Sequence, residues 1–322
     1  METRTAERVL PTPANAVPPS PSPSPSPSPA QPSGRTLFSP IFLPPPLEGF
    51  PPVHRSDPMA LTRNIHPGQL QDWLNNTQST CAALQIYGVG YPSVDRAEAI
   101  TSGLRAALVA ITGCYAVEVA APIAARDEHD ELLFPLPATY FAYGLTEEAA
   151  TRLKAQICWS TSAISFFAYD LAPVIPNFLF TLHGFTKGDE KALEETVRRT
   201  FLVTRFCRFT ASFAVNNPRF RGYSTDRIIE TLMRTLEVKV VRVPGTTLQA
   251  VNVHCASPTT SPELWCLWRD ALGAAQYVHS LCREGFPKRG LTCSGCHGND
   301  HVRKGCPFAM LLGWNSSHEL QE

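Results

Sequence analysis

Ala82-Ala83-Leu84-Gln85-Ile86-Tyr87, Tyr140-Phe141-Ala142-Tyr143 and Ile164-Ser165-Phe166-Phe167-Ala168-Tyr169 are short apolar and aromatic runs set between helix-like segments, and their order decides the fold. The first reads as a buried strand. Ser93 then stands as the N-cap of a helix carrying Ile100, Leu104, Leu108 and Ile111 on one face, with Gly113 as its stop. Tyr115 to Ala121 is a second strand and the run from Tyr140 to Leu145 a third. Thr146 caps a second helix with Leu153 and Ile157 inward, and Ile164 to Tyr169 is the fourth strand. The resulting order, β-α-β-β-α-β, is that of a four-stranded antiparallel sheet backed by two helices. The fold class expected is therefore α+β, with a ferredoxin-like (RRM-like) body.

Outward from this unit the pattern loosely repeats. Phe178 to Phe185 is strand-like, and Asp189 caps a helix with Leu193, Val197 and Phe201. Ile228, Ile229, Leu232 and Leu236 mark another helix. Val238 to Val243 and Leu248 to His254 form a hairpin around Pro244-Gly245. Ser261-Pro262-Glu263 starts a helix that turns Trp265, Trp268 and Leu272 inward. Upstream lies a Pro/Ser tract: 16 of the 30 prolines precede Asp57, so the segment has no core-forming pattern. The expected organisation is a disordered Pro/Ser-rich tail (1–62), the RRM-like domain (63–175), a second α/β unit (176–284), and, after a hinge at Gly285 to Gly290, a small terminal module (285–322). Phe42 to Leu47 reads as solvated tail or as a ligand for a polyproline-binding partner.

The 322 residues carry 28 Lys+Arg and 28 Asp+Glu, which excludes a uniformly basic coat; affinity for nucleic acid must come from local patches. The richest apolar run, Ala106 to Val117, is 12 residues, short of the ~20 that a bilayer needs, so no membrane association is expected. Pro-Ser repeats stand where a secretory signal would have its apolar core, which points to an intracellular protein, cytoplasmic or nuclear. Of the ten cysteines, seven are scattered singly, as in a reducing compartment, and three crowd into 14 residues near the end.

Those three, with a histidine, carry the chemistry. Cys293, Cys296, His301 and Cys306 have the spacing C-x2-C-x4-H-x4-C. Three thiolates and one imidazole make a closed tetrahedral set suited to one structural Zn²⁺, with no open coordination position for an activated water. A tight turn at Gly295 lets both sulfurs of the first pair face one metal. Cys293-Ser294-Gly295-Cys296-His297 also fits the haem-attachment pattern, but that reading leaves His301 and Cys306 unexplained. His297 as a ligand in place of His301 would spoil the four-residue spacings, so it is expected at the surface or against nucleic acid.

The module resembles the CCHC zinc knuckle of retrotransposon-type proteins: Gag nucleocapsid proteins and the first-open-reading-frame proteins of LINE elements. Cys306-Pro307-Phe308 and Gly313-Trp314 add a likeness to transposon-derived fungal proteins. The resemblance spans about residues 288 to 314. It implies that Cys293, Cys296, His301 and Cys306 hold zinc and that the module binds single-stranded RNA or DNA. Asp300 stands where the family often has Gly, and Ser294-Gly295 where it often has an aromatic residue.

Two basic clusters fit such a partner. Around the knuckle, Arg283, Lys288, Arg289, Arg303 and Lys304 face only Glu284 and Asp300, and Phe308 and Trp314 read either as stacking residues or as residues that dock the knuckle onto the preceding domain. Further upstream, Arg198, Arg199, Arg205, Arg208, Arg219 and Arg221 lie in 24 residues without an acid, interleaved with aromatic residues that serve as core or as stacking faces. Phe141-Ala142-Tyr143 resembles the aromatic-small-aromatic centre of RNA-recognition sheets, with Tyr87 as its partner on the first strand; Thr139 and Tyr140 stand where that signature has a basic residue and Gly, so the sheet reads as a scaffold without base contacts or as a binding face. G-x-S-x-G, P-loop, G-x-G-x-x-G and H-E-x-x-H motifs are all missing, and the acidic loop Asp127 to Glu131 reads as solvated. The expectation is a non-enzymatic single-strand-binding protein. The alternative is a Gag-like self-assembling protein in which the knuckle is a docking element.

Overall fold

Thr146, Asp189, Ser224 and Ser261 each accept a hydrogen bond from the backbone N–H three residues on, which fixes the starts of four helices. In the computed structural model, which describes residues 42–76, 80–125, 135–186, 188–242, 249–288 and 291–316, these helices lie in one unit together with two sheets. The chain order is α1 (Pro67–Asn75), β1 (Ala82–Ile86), α2 (Val94–Thr112), β2 (Glu118–Ala120), β3 (Thr139–Tyr143), α3 (Glu147–Gln156), β4 (Cys158–Ser160) and β5 (Ser165–Tyr169). There follow β6 (Phe178–His183), α4 (Glu190–Phe201), α5 (Thr204–Ala214), α6 (Thr225–Met233), β7 (Glu237–Arg242), β8 (Gln249–His254), α7 (Pro262–Gly273), β9 (Tyr277–His279) and β10 (Arg283–Lys288).

The fold class is α+β, with two five-stranded antiparallel sheets. Their orders are β2-β3-β1-β5-β4 and β7-β8-β6-β10-β9. Position for position these are the same arrangement: the first strand of each half is central, and a short hairpin closes one edge.

Alternation along each strand sends neighbouring residues to opposite faces. In the first sheet Leu84, Tyr140, Phe166 and Trp159 pack on Ile100, Leu104 and Leu108 of α2 and Leu153 of α3. The opposite face is buried as well. Ala83 and Phe141 lie under α1 and the chain before it, where Trp73 stacks on Phe141 with centroids 4.9 Å apart. Tyr87, Cys158 and Phe167 lie under the C-terminal module. In the second sheet Phe180, Leu182, Val251 and Val253 pack against α4 to α7, with Trp265, Trp268 and Leu272 inward as the sequence pattern requires.

Trp73 is 4% exposed and stacks on Phe141 in a buried cluster, so Trp73→Ala leaves a cavity. The expected cost is about 3–5 kcal/mol, read as a lower denaturant midpoint with the slope unchanged.

Several expectations need correction. Residues 42–62, read as part of the tail, are instead packed along the folded chain. Phe42 sits edge-on to Trp159 at 4.9 Å, and the Leu43 N–H donates to Ser160 O at 2.7 Å. Pro44, Pro45 and Leu47 stay exposed. Of the hinge expected at Gly285 to Gly290, residues 285–288 belong to strand β10, paired with β6 and β9; Gly285 fits there because a Cβ would fall 2.3 Å from the Phe185 ring. Ile157 is not on the inner face of α3; it caps the helix at φ 63° and is exposed. The Pro/Ser tract up to residue 41, the acidic loop Asp127 to Glu131, the Pro244-Gly245 turn and Arg289 lie outside the described residues. Among the described residues no helix is long and apolar enough to cross a membrane.

Candidate metal centre

Cys293 to Cys296 form a tight turn. The N–H groups of Gly295 and Cys296 point back at the Cys293 sulfur, at 3.3 and 3.5 Å, and the His297 N–H donates to Cys293 O at 2.9 Å. Such N–H···S contacts favour a thiolate over a thiol. The chain then doubles back through Gly298, whose carbonyl accepts from Cys293 N at 2.9 Å, and brings His301 and Cys306 to the same point. The ligand atoms of Cys293, Cys296, His301 and Cys306 lie within 4.8 Å of one another, and all four residues are buried. His301 Nε2 faces the cluster, 3.4 Å from the Cys296 sulfur, because its Nδ1 is engaged by Asp300 Oδ1 at 2.9 Å. A carboxylate holding the far nitrogen of a ligating imidazole is the usual way its orientation is fixed.

The donor set fits one metal ion, and three sulfurs with one imidazole are compatible with zinc. The sulfurs compete for protons: hydrogen bonds with Cys293 and Cys296 hold the Cys306 thiol far below its usual range, while those with Cys293 and Cys306 push Cys296 far above it. Burial disfavours a charged His301, but its hydrogen bonds to Asp300, Cys293 and Cys306 outweigh that and raise it to about 11. The cluster attracts positive charge, on a ring or on a metal.

This module is not a free bead. Phe308 meets Phe167 at 5.0 Å between centroids, and Trp314 meets Tyr87 at 5.6 Å and Phe167 at 5.8 Å. Gly88 N donates to Gly295 O at 2.8 Å, and His297 Nε2 lies 2.8 Å from Ile86 O. His297, expected at the surface, is thus an anchor to the end of β1, held with a left-handed backbone at φ 62°. On its other side the module meets the second sheet, where Asn252 Nδ2 donates to Asp300 O at 2.6 Å. The segment 53–57 threads between. His54 O accepts from Asn299 N, Arg55 lies over Tyr169 and donates to Gln85 Oε1, and Ser56 O accepts from Arg269 of α7.

No known family, curated protein or solved structure matches this chain.

Two predictions follow from this packing. Gly295 sits so close to the Tyr87 ring that an added Cβ would lie 2.9 Å from it, so Gly295→Ala should cost about 1–3 kcal/mol and lower the melting temperature. His54 and His254 pack edge to face at 4.7 Å beside Phe178. Burial, then the neighbouring His54, depress His254 to about 4, and burial depresses His54 too. Between pH 6.5 and 4 the unfolded chain therefore binds protons that the folded chain refuses, and stability falls as pH falls through that window. His254→Gln should flatten this part of a stability-versus-pH curve.

The other expected site residues fall into two groups. Phe308 and Trp314 are 0% and 7% exposed, so their rings are taken up by docking on the first sheet and are closed to a base. Arg303 lies over the Tyr87 ring and donates to Ser294 O, whereas Lys304 and Lys288 are exposed. Phe141 is buried under Trp73, and Tyr87 under the module. In the upstream cluster, Arg198 is tied to Glu194 and to Met233 O. Arg199, Arg205, Arg208, Arg219 and Arg221 are exposed, and none forms an ion pair among the described residues. Their aromatic neighbours Phe201, Phe206 and Phe220 are core.

Arg199 and Arg205 also line an open cleft of about 530 Å³ between the end of α4, the start of α5 and residues 274–278. Sequence reasoning missed α1 and the 53–57 strap, the elements that close the first sheet's second face. The adjacent bulky pairs Tyr140-Phe141 and Phe166-Phe167 were the available signal, since each sends one ring to either side.

Proposed function

We propose that this is a single-strand nucleic-acid-binding protein whose contact surface is the arginine face of the second unit, and that its C-terminal CCHC knuckle holds one structural zinc. The observation that carries the proposal is a set of five exposed arginines on α4, α5 and the turn that follows, none of them in an ion pair among the described residues, in a chain of zero net charge. Guanidinium groups left free of carboxylates present forked donors to phosphates. The strand order of each sheet supports reading both halves as ferredoxin-like βαββαβ units, each with an added edge strand. In that reading the sheet face on which RNA-recognition domains stack bases is occupied here by the chain itself, so binding moves to the helical side. The role is recognition rather than catalysis.

The docked knuckle gives one element of the alternative, a Gag-like assembly protein, since docking is what its aromatic residues do; the docking partner, however, is its own chain. Fluorescence anisotropy of a labelled single-stranded RNA and its DNA counterpart, titrated with the full chain at several salt concentrations, tests the proposal. Affinity should fall linearly on a log–log plot as salt rises. Absence of binding at low salt, with concentration-dependent oligomers, would favour assembly instead.

A further inference from the structure

The residues that fix the metal ligands do not all belong to the module. Asp300 holds the His301 ring through its carboxylate and, through its carbonyl, accepts from Asn252 of β8. Asn252 is itself set by Thr181 of β6, whose hydroxyl donates to Asn252 Oδ1 at 2.8 Å. On the other side Tyr87, at the end of β1, lies against Gly295 with Arg303 over its ring. Its hydroxyl is buried without a hydrogen-bond partner, in the same cluster of buried residues as Cys293, Cys296 and Cys306. The two sheets thus both reach the same ligand cluster, through residues more than 40 positions away in the chain. Beyond the ligands, the module's buried side chains are Phe308 and Trp314, and both are spent on the first sheet.

We propose that the metal centre is a clasp between the two sheets, with Tyr87 and Asn252 as positioning residues that set its affinity alongside the four ligands. Metal binding and sheet closure are then linked, and linkage is reciprocal: whatever loosens the sheet contacts weakens the metal by the same factor. A self-contained knuckle would show no such dependence. This rests on the metal-binding reading of the four ligands.

The test uses the full chain with Co²⁺ as probe, its affinity measured by competition with a chelator through the thiolate-to-cobalt absorption. Tyr87→Phe keeps the ring and removes only the hydroxyl; Asn252→Ala removes the link to Asp300. Each should weaken Co²⁺ by about 10-fold or more, the range found for outer-sphere partners of metal ligands. Tyr87→Phe should also shift the absorption band, which loss of packing alone would not do. Chelation of the unaltered chain should speed amide exchange in β5 and β8. Unaltered affinity in both variants, or unchanged exchange on chelation, overturns the clasp while leaving the metal site standing. A chain that takes up no Co²⁺ at all overturns both.

Discussion

Cys306→Ser is expected to abolish binding of the single metal ion and to lower the melting temperature by about 10–20 °C. The module has too little interior to fold on side-chain burial alone; a bound metal would supply its folding free energy, about 10–16 kcal/mol for isolated zinc modules. Here only part of that would appear as global stability, because both sheets keep their helix-side cores without the module. What is lost is the docking of Phe308 and Trp314 and the cover over Tyr87 and Phe167. A loss of about 5 kcal/mol is reasonable for two large buried aromatic contacts, and in a domain of this size each kcal/mol moves the midpoint by about 2–4 °C. Calorimetry with metal analysis checks both numbers together. Newly exposed aromatic surface should also bind a hydrophobic dye.

The second large effect concerns the arginines. Changing Arg199, Arg205 and Arg208 together to Gln should weaken single-strand affinity by about 10- to 100-fold near 0.1 M salt. Each exposed phosphate contact is worth on the order of 1 kcal/mol, and three lost contacts would reduce the log–log salt slope by about 2. Stability should hardly change, because all three side chains are exposed and form no ion pair among the described residues. Changing Arg198 instead would give the opposite pattern: it is tied to Glu194 and to Met233 O, so its loss should cost stability more than affinity.

Much of this molecule could be read from the chain. Capping residues at Thr146, Asp189 and Ser261 placed three helices, and the C-x2-C-x4-H-x4-C spacing brought together the four residues that meet in space. Those signals are local, carried within one turn or one short loop. The alternatives that the chain left open share another cause. Phe308, Trp314, Phe141 and Tyr87 have the composition of base-stacking residues, but whether an aromatic ring is free depends on what covers it. The covers are α1, the 53–57 strap and the module itself, and all are long-range partners. The strap was the hardest to foresee, because Val53-His54-Arg55-Ser56 follows a proline-rich run and has no strand or helix pattern of its own, while its partners, among them Gln85, His254, Arg269 and Asn299, are all distant in the chain. The repeat, only loose in the sequence pattern, becomes position-for-position in the strand orders, which long-range pairing sets.

Ultraviolet cross-linking of a single-stranded RNA to the metal-loaded full chain, followed by mass-spectrometric mapping of the attached peptides, tests the central claim most directly. Cross-links on peptides spanning 199–221 are the predicted result. Cross-links concentrated within 293–314, on Phe308 or Trp314, would contradict it, because they would require the knuckle to leave the sheets and bind as a free module.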